Sequence, residues 1–238
     1  GDGSISGGVP PSLGVGDGEW IELYNPDLCE AVDISCYYLG NYTFEGSGGF
    51  LLPQGTVIPP SGFCLIRGVN APAVPQSLLV QNGGRVVEIV VPPSLNAPGV
   101  CSSGNRVWFP NAGGWFAFYD SNGVPQDAVR WGSSNTADLG GTPCIAQGLG
   151  CGAPSVPLVS YNNIPSNRKT HASTMDASDH KDLSIRRIPD GGNWAGIGSP
   201  TFANCNAPCI PPGASSCNGT ATVQVNDGTP PFSFQWDD

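Results

Sequence analysis

Where apolar residues recur regularly in this chain they recur at every second position, and no window carries a sustained helical period. Trp20-Ile21-Glu22-Leu23-Tyr24 is the clearest case. Ile21 and Leu23 point one way and Trp20, Glu22 and Tyr24 the other, the pattern of a strand covered on one face and partly on the other. Asn25-Pro26-Asp27 ends it, because Pro donates nothing to a ladder and Asn and Asp favour turns. Further extended runs are expected at Cys36 to Leu39, Tyr42 to Phe44, Phe50 to Leu52, Phe63 to Arg67 and Arg106 to Phe109. In Arg85 to Val91, residues Val87, Ile89 and Val91 share one side. Trp115 to Tyr119 and Asp127 to Trp131 flank Asp120-Ser121-Asn122-Gly123, a hairpin signal. Gly46 to Gly49 is expected to turn the chain, and Gly55 to Gly62 to form a turn between extended pieces. Residues 132–182 read as long, polar and irregular, and Leu183 to Ile188 as the last clear strand of the main body. Short strands between turn signals imply an all-β sandwich.

Gly 34 and Pro 24 in 238 residues bring the chain near low-complexity composition. Trp 6, Tyr 6 and Phe 9 among β-branched residues argue instead for a buried core, with Gly and Pro as punctuation. The net charge is −10, with Lys169 and Lys181 the only lysines, so nucleic acid is not an expected partner. No apolar run approaches the length of a membrane span and no signal peptide is present; the chain reads as a mature or excised piece.

Nine cysteines and no Cys-x-x-Cys or Cys/His zinc spacing favour disulfides over metal, and with them an oxidising compartment. The candidates are Cys29, Cys36, Cys64, Cys101, Cys144, Cys151, Cys205 and Cys209. Cys217, near the end of the chain, is the expected odd thiol.

The domain reading is a Gly/Pro-rich arm over 1–17, a sandwich over 18–206, a Pro-rich linker over 207–216 and the beginning of a second β-module over 217–238. In that last segment Ala221, Val223 and Val225 alternate with polar residues, as do Phe232, Phe234 and Trp236.

Chemistry is less legible. His171 and His180, with Ser173, Asp176, Asp179 and Asp182, hold the residue types of a hydrolytic or metal site. A solvated loop is the expected reading, since no strand or helix holds them in register. Asp2-Gly3, Asp17-Gly18, Asp190-Gly191 and Asp227-Gly228 offer oxygens to calcium, the single cofactor entertained, but turn chemistry accounts for them. Asn41-Tyr42-Thr43 and Asn218-Gly219-Thr220 match glycosylation sequons. Arg168, Lys169, Lys181, Arg186 and Arg187 gather five of the nine basic residues into one short region. They form a candidate docking patch for an acidic neighbour or polysaccharide, set against pairing with the interleaved aspartates.

Four blocks taken together resemble the lamin-tail domain of bacterial secreted proteins: WIELYNPDLCEAVDISCYYLGN (20–41), LLPQGTVIPPSGFCLIRG (51–68), YDSNGVPQDAVRWGSS (119–134) and SIRRIPDGGNWAGIGSPTFANCN (184–206). The resemblance spans about residues 18–206 and implies an immunoglobulin-like β-sandwich without catalytic residues. It departs at the opening, where residues 1–17 lack the family's apolar first strand; that strand is expected upstream or from a partner. CNGTATVQVNDGTPPFSFQW (217–236) is similar to SprB-type gliding-adhesin repeats, which implies a Bacteroidota cell-surface protein exported by the type IX secretion machinery. The expectation is a non-catalytic structural or adhesive module, extracellular or on the cell surface, that meets neighbouring modules or subunits of a surface assembly. The alternative is an accessory binding domain of a secreted hydrolase whose catalytic domain lies elsewhere.

Overall fold

The computed structural model describes residues 20–43, 46–68, 71–91, 113–132, 138–144, 151–152, 154–172, 184–188, 193–198 and 201. Within them the chain is all-β, with short 3-10 turns and no α-helix. In chain order the strands are β1 (Trp20–Tyr24), β2 (Val32–Asp33), β3 (Tyr38–Thr43), β4 (Gly46–Leu51), β5 (Val57–Ile58) and β6 (Phe63–Gly68). They continue with β7 (Val86–Val91), β8 (Gly113–Tyr119), β9 (Pro125–Gly132), β10 (Lys169–Ala172), β11 (Ser184–Ile188) and β12 (Asn193–Gly198). The segments 1–17, 207–216 and 217–238, and the run Arg106–Phe109, lie outside the described residues.

The strands make a three-stranded sheet in the order β1-β6-β7, a five-stranded sheet in the order β10-β9-β8-β3-β4, and the two-stranded pairs β2-β5 and β11-β12. The two larger sheets face each other across one apolar cluster. Alternate residues of β6 and β7 (Cys64, Ile66, Val91, with Ile21, Leu23, Val87 and Ile89 against them) meet Leu39, Phe50, Phe116, Val129 and Trp131 from the other sheet. Period-two patterning has this consequence: one set of side chains fills the space between the sheets, and the other faces outward. Here the outward sets are apolar too. Trp20, Phe63, Leu65 and Val86 pack with Ala71, Val74 and Leu79 of the β6–β7 connection. Tyr38, Leu51, Trp115, Ala117, Tyr119 and Ala128 pack with Leu158, Tyr161 and Ile164. The middle strand β6 is therefore buried at every position.

The described part of 138–164 corrects the reading of 132–182 as long, polar and irregular. It is a strap across the outer face of the five-stranded sheet, and aromatic side chains beneath it donate to its carbonyls. Trp115 Nε1 bonds Asp138 O at 2.9 Å, Tyr38 Oη bonds Gly152 O at 3.0 Å, and Tyr119 Oη bonds Val159 O at 2.6 Å. A buried aromatic with a polar tip needs such a partner, and the strap supplies three. It then runs into β10, which joins β9 in parallel. Cys36 and Cys151 are bonded, with Cα atoms 5.6 Å apart across a sequence separation of 115.

The strap also corrects the reading of Gly46 to Gly49 as a turn. These residues belong to β4, paired with β3, and Gly49 lies directly opposite Gly40. A Cβ on Gly40 would come within 2.7 Å of Pro143 Cβ, and one on Gly49 would strike the Cys144 carbonyl oxygen. The facing glycines thus make room for the strap, a close approach only glycine permits. By contrast Gly123, at φ 91°, does close the expected β8–β9 hairpin, with Asp120 Oδ1 accepting from Asn122 N and Val124 N.

Asn25 ends β1 and ties down both loops beside it. It is 2 % exposed, and its Nδ2 donates to Glu30 O (2.7 Å), Pro59 O (3.1 Å) and Ile58 O (3.3 Å) while Oδ1 accepts from Asp27 N (3.0 Å). Asn25→Ala leaves these groups to find partners in a site with little water. The expected loss is about 2–3 kcal/mol in urea unfolding; a loss under ~0.5 kcal/mol would mean that water replaces the amide.

Candidate functional site

The outer edge formed by β9 and β10 concentrates positive charge. In β9, Val129 and Trp131 enter the inter-sheet core, so Ala128 and Arg130 face out. β10 pairs with β9 in parallel, placing Lys169 opposite Ala128 and His171 opposite Arg130. Arg130 Nη2 lies 3.1 Å from His171 Nδ1. A guanidinium can only donate, so in this contact Nδ1 is the acceptor. Arg130 Nε is buried without a hydrogen-bond partner.

Lys169 Nζ donates to Asn162 O (2.9 Å) and Tyr161 O (3.0 Å) and sits 5.3 Å from the centre of the Tyr161 ring. Tyr161 Oη in turn donates to Thr170 O at 2.8 Å. Burial raises the Tyr161 phenol above its ordinary pKa, partly opposed by the Arg130 charge. Arg168 Nη1 donates to Pro125 O (2.6 Å) and Gln126 Oε1 (3.0 Å). Arg168 and Lys169 are therefore held by neutral acceptors, and the interleaved Asp176, Asp179 and Asp182 lie outside the described residues. The single ion pair among the described residues is Arg67–Glu88, elsewhere.

Of the five patch residues expected from sequence, Arg168 and Lys169 lie here. Arg186 and Arg187 are placed on β11, whose partner β12 lies against β10. Lys181 is outside the described residues, as are Ser173, Asp176, Asp179, His180 and Asp182. Arg130 was missing from the sequence-based patch, although the alternation of Ala128-Val129-Arg130-Trp131 already put it on the outer face. His171 corrects the solvated-loop reading: it is exposed, but it sits on a strand in register with Arg130. Among the described residues no group of three His, Cys, Asp or Glu is placed to hold a metal, and no helix is long and apolar enough to cross a membrane. The Asp-Gly turns considered for calcium lie outside the described residues.

Negative charge collects on the β1–β3 connection, where Asp27, Glu30 and Asp33 are all exposed. Asp27 Oδ1 accepts from Cys29 N (2.7 Å) and Glu30 N (2.8 Å), which lowers its pKa. Asp33 is lowered by hydrogen bonds from the Ser35 side chain and backbone. Both stay ionised at neutral pH.

Cys36 and Cys151 are joined, and Cys29 and Cys144 are also disulfide-bonded. Cys64 corrects its place among the candidates: it is a buried free thiol, pointing into the core from β6. Cys101, Cys205, Cys209 and Cys217 lie outside the described residues. Burial pushes the Cys64 thiol up from 9.0 to about 12. The folded state favours the neutral thiol, so its contribution to stability is full below pH 9.0 and falls as pH rises towards about 12. Alkylation mapped by mass spectrometry at pH 8 is expected to leave Cys64 unmodified until denaturant is added; rapid labelling of native protein would contradict its burial.

No family model, curated protein or solved structure matches the chain.

Proposed function

We propose that the chain is a non-catalytic structural or adhesive module of a large secreted, multi-domain surface protein, built as an immunoglobulin-like sandwich of the lamin-tail kind. One observation supports this reading above the rest: the disposition of the polar side chains. Asn25, Tyr38, Tyr119, Trp115, Arg168 and Lys169 each donate to a backbone carbonyl, and Asp27, Asp120 and Asp138 each accept from backbone amides. Groups so engaged fix loops and straps. The Cys36–Cys151 bond adds a cross-link that persists in oxidising surroundings, consistent with residence outside the cytoplasm.

The test uses the chain within its parent protein on intact cells. A membrane-impermeant biotin reagent is expected to label it without lysis, with Cys36 and Cys151 recovered as a bonded pair. Labelling only after lysis would overturn the reading. So would turnover of a peptide, glycoside or phosphodiester by the purified chain that His171→Ala abolishes.

A further inference from the structure

We propose that the chain associates head to tail with a second copy of itself, the acidic 27–33 segment of one copy docking on the Arg130–Lys169 edge of the next. The inference rests on reading the chain as a structural module and names the partner of the β9–β10 edge.

The edge carries Arg130, Arg168 and Lys169, none of them in an ion pair with a described residue, in a chain whose net charge is −10. Carbonyls hold the heads of Arg168 and Lys169 in place without neutralising them. A cluster of cations outside any ion pair with a described residue, on an otherwise acidic protein, attracts acidic surface, and the acidic surface at hand is the protein's own. Asp27, Glu30 and Asp33 supply it from an exposed segment whose aspartates are kept ionised by local hydrogen bonds. Beside them Val32 and Val57, each 40 % exposed on the β2–β5 pair, offer an apolar centre for a contact with a charged rim.

Topology separates the two surfaces within one molecule. β10 is one edge of the five-stranded sheet and β4 the other. The end of the acidic segment is tied to the chain leaving β4 through Cys36 N to Leu52 O and Ile34 N to Thr56 O, while Asp27 O accepts from Ser61 N just ahead of β6. Four inter-strand spacings of ~4.8 Å put roughly 19 Å between the sheet edges. The two surfaces are different patches, so a contact between copies is heterologous; it repeats along a line unless the rotation closes a ring.

Sedimentation velocity on the oxidised chain tests this at about 20 mM and about 500 mM salt, since screening removes attraction between exposed charges. Wild type is expected to grow beyond dimer with concentration at low salt and to be monomeric at high salt. Arg130→Glu and Glu30→Lys are each expected to weaken self-association about tenfold, and an equimolar mixture of the two to restore it. Glu30 makes no side-chain hydrogen bond that its replacement would break. Arg130→Gln and a thermal melt guard against mistaking misfolding for lost contact. Three results would each overturn the proposal: a monomeric wild type at low salt, association that survives both charge reversals, or a monomer that instead binds polygalacturonate. Substrate turnover would sink the module reading and leave this contact standing.

Discussion

Replacing both Cys36 and Cys151 by serine is expected to destabilise the fold by about 2–5 kcal/mol. The bond spans a sequence separation of 115, and closing so long a loop removes much of the unfolded chain's freedom. A domain of this size should melt roughly 10 °C lower. The loss is also local. The bond fixes the strap near Gly152, next to the Tyr38 hydroxyl, and Cys151 packs with the cluster under the strap. Hydrogen exchange in the double variant should rise first over 138–164, while β6 and β8 keep their protection. Equal acceleration throughout would mean that strap and sheets unfold as one unit.

The second large effect is expected on the opposite face. Arg67 is 8 % exposed, and its Nε donates to Glu88 Oε1 at 2.6 Å. Its Nη1 reaches Gly68 O (3.1 Å) and Ala71 O (3.2 Å), while Glu88 Oε1 also accepts from Val74 N at 3.0 Å. The pair thus pins the 71–74 segment over the outer face of the three-stranded sheet. Glu88→Ala leaves a nearly buried guanidinium without its counter-charge, a change worth about 3 kcal/mol or more. Arg67→Met combined with Glu88→Leu removes both charges and keeps volume, so it should cost far less than Glu88→Ala alone. If Glu88→Ala costs under about 1 kcal/mol in chemical denaturation, the pair is effectively solvated, as surface pairs are.

These cases mark where sequence patterning carries the fold and where it stops. Ile21 and Leu23 against Trp20 and Tyr24, and Val87, Ile89 and Val91 along β7, fall on the faces that alternation assigns, because period two is a geometric property of the strand itself. The strap left no such trace. It is held by Tyr38, Trp115 and Tyr119 reaching its backbone carbonyls, and a carbonyl acceptor has no residue identity to read. Gly46 to Gly49 looked like a corner because glycine serves corners and close approaches alike; the segment crossing above Gly40 and Gly49 decides which. β12 escaped notice because Asn193-Trp194-Ala195-Gly196-Ile197-Gly198 is rich in small residues and weak in alternation. Cys64 was legible in principle: it shares a face with Ile66 inside a strand buried throughout, a poor place for a bridge to a loop. At the candidate site Arg168 and Lys169 were visible as a charge run. The pairing of Arg130 with His171 depended on a parallel register between segments forty-one residues apart, which no local pattern encodes.

The strapped two-sheet scaffold depends most directly on how the cysteines are joined, and non-reducing proteolysis with mass spectrometry reads that out. It predicts one peptide pair linking Cys36 to Cys151, together with a Cys64 peptide carrying a free thiol. Recovery of Cys36 bonded to Cys29, or of Cys64 in any disulfide, would contradict the strapped two-sheet scaffold described above.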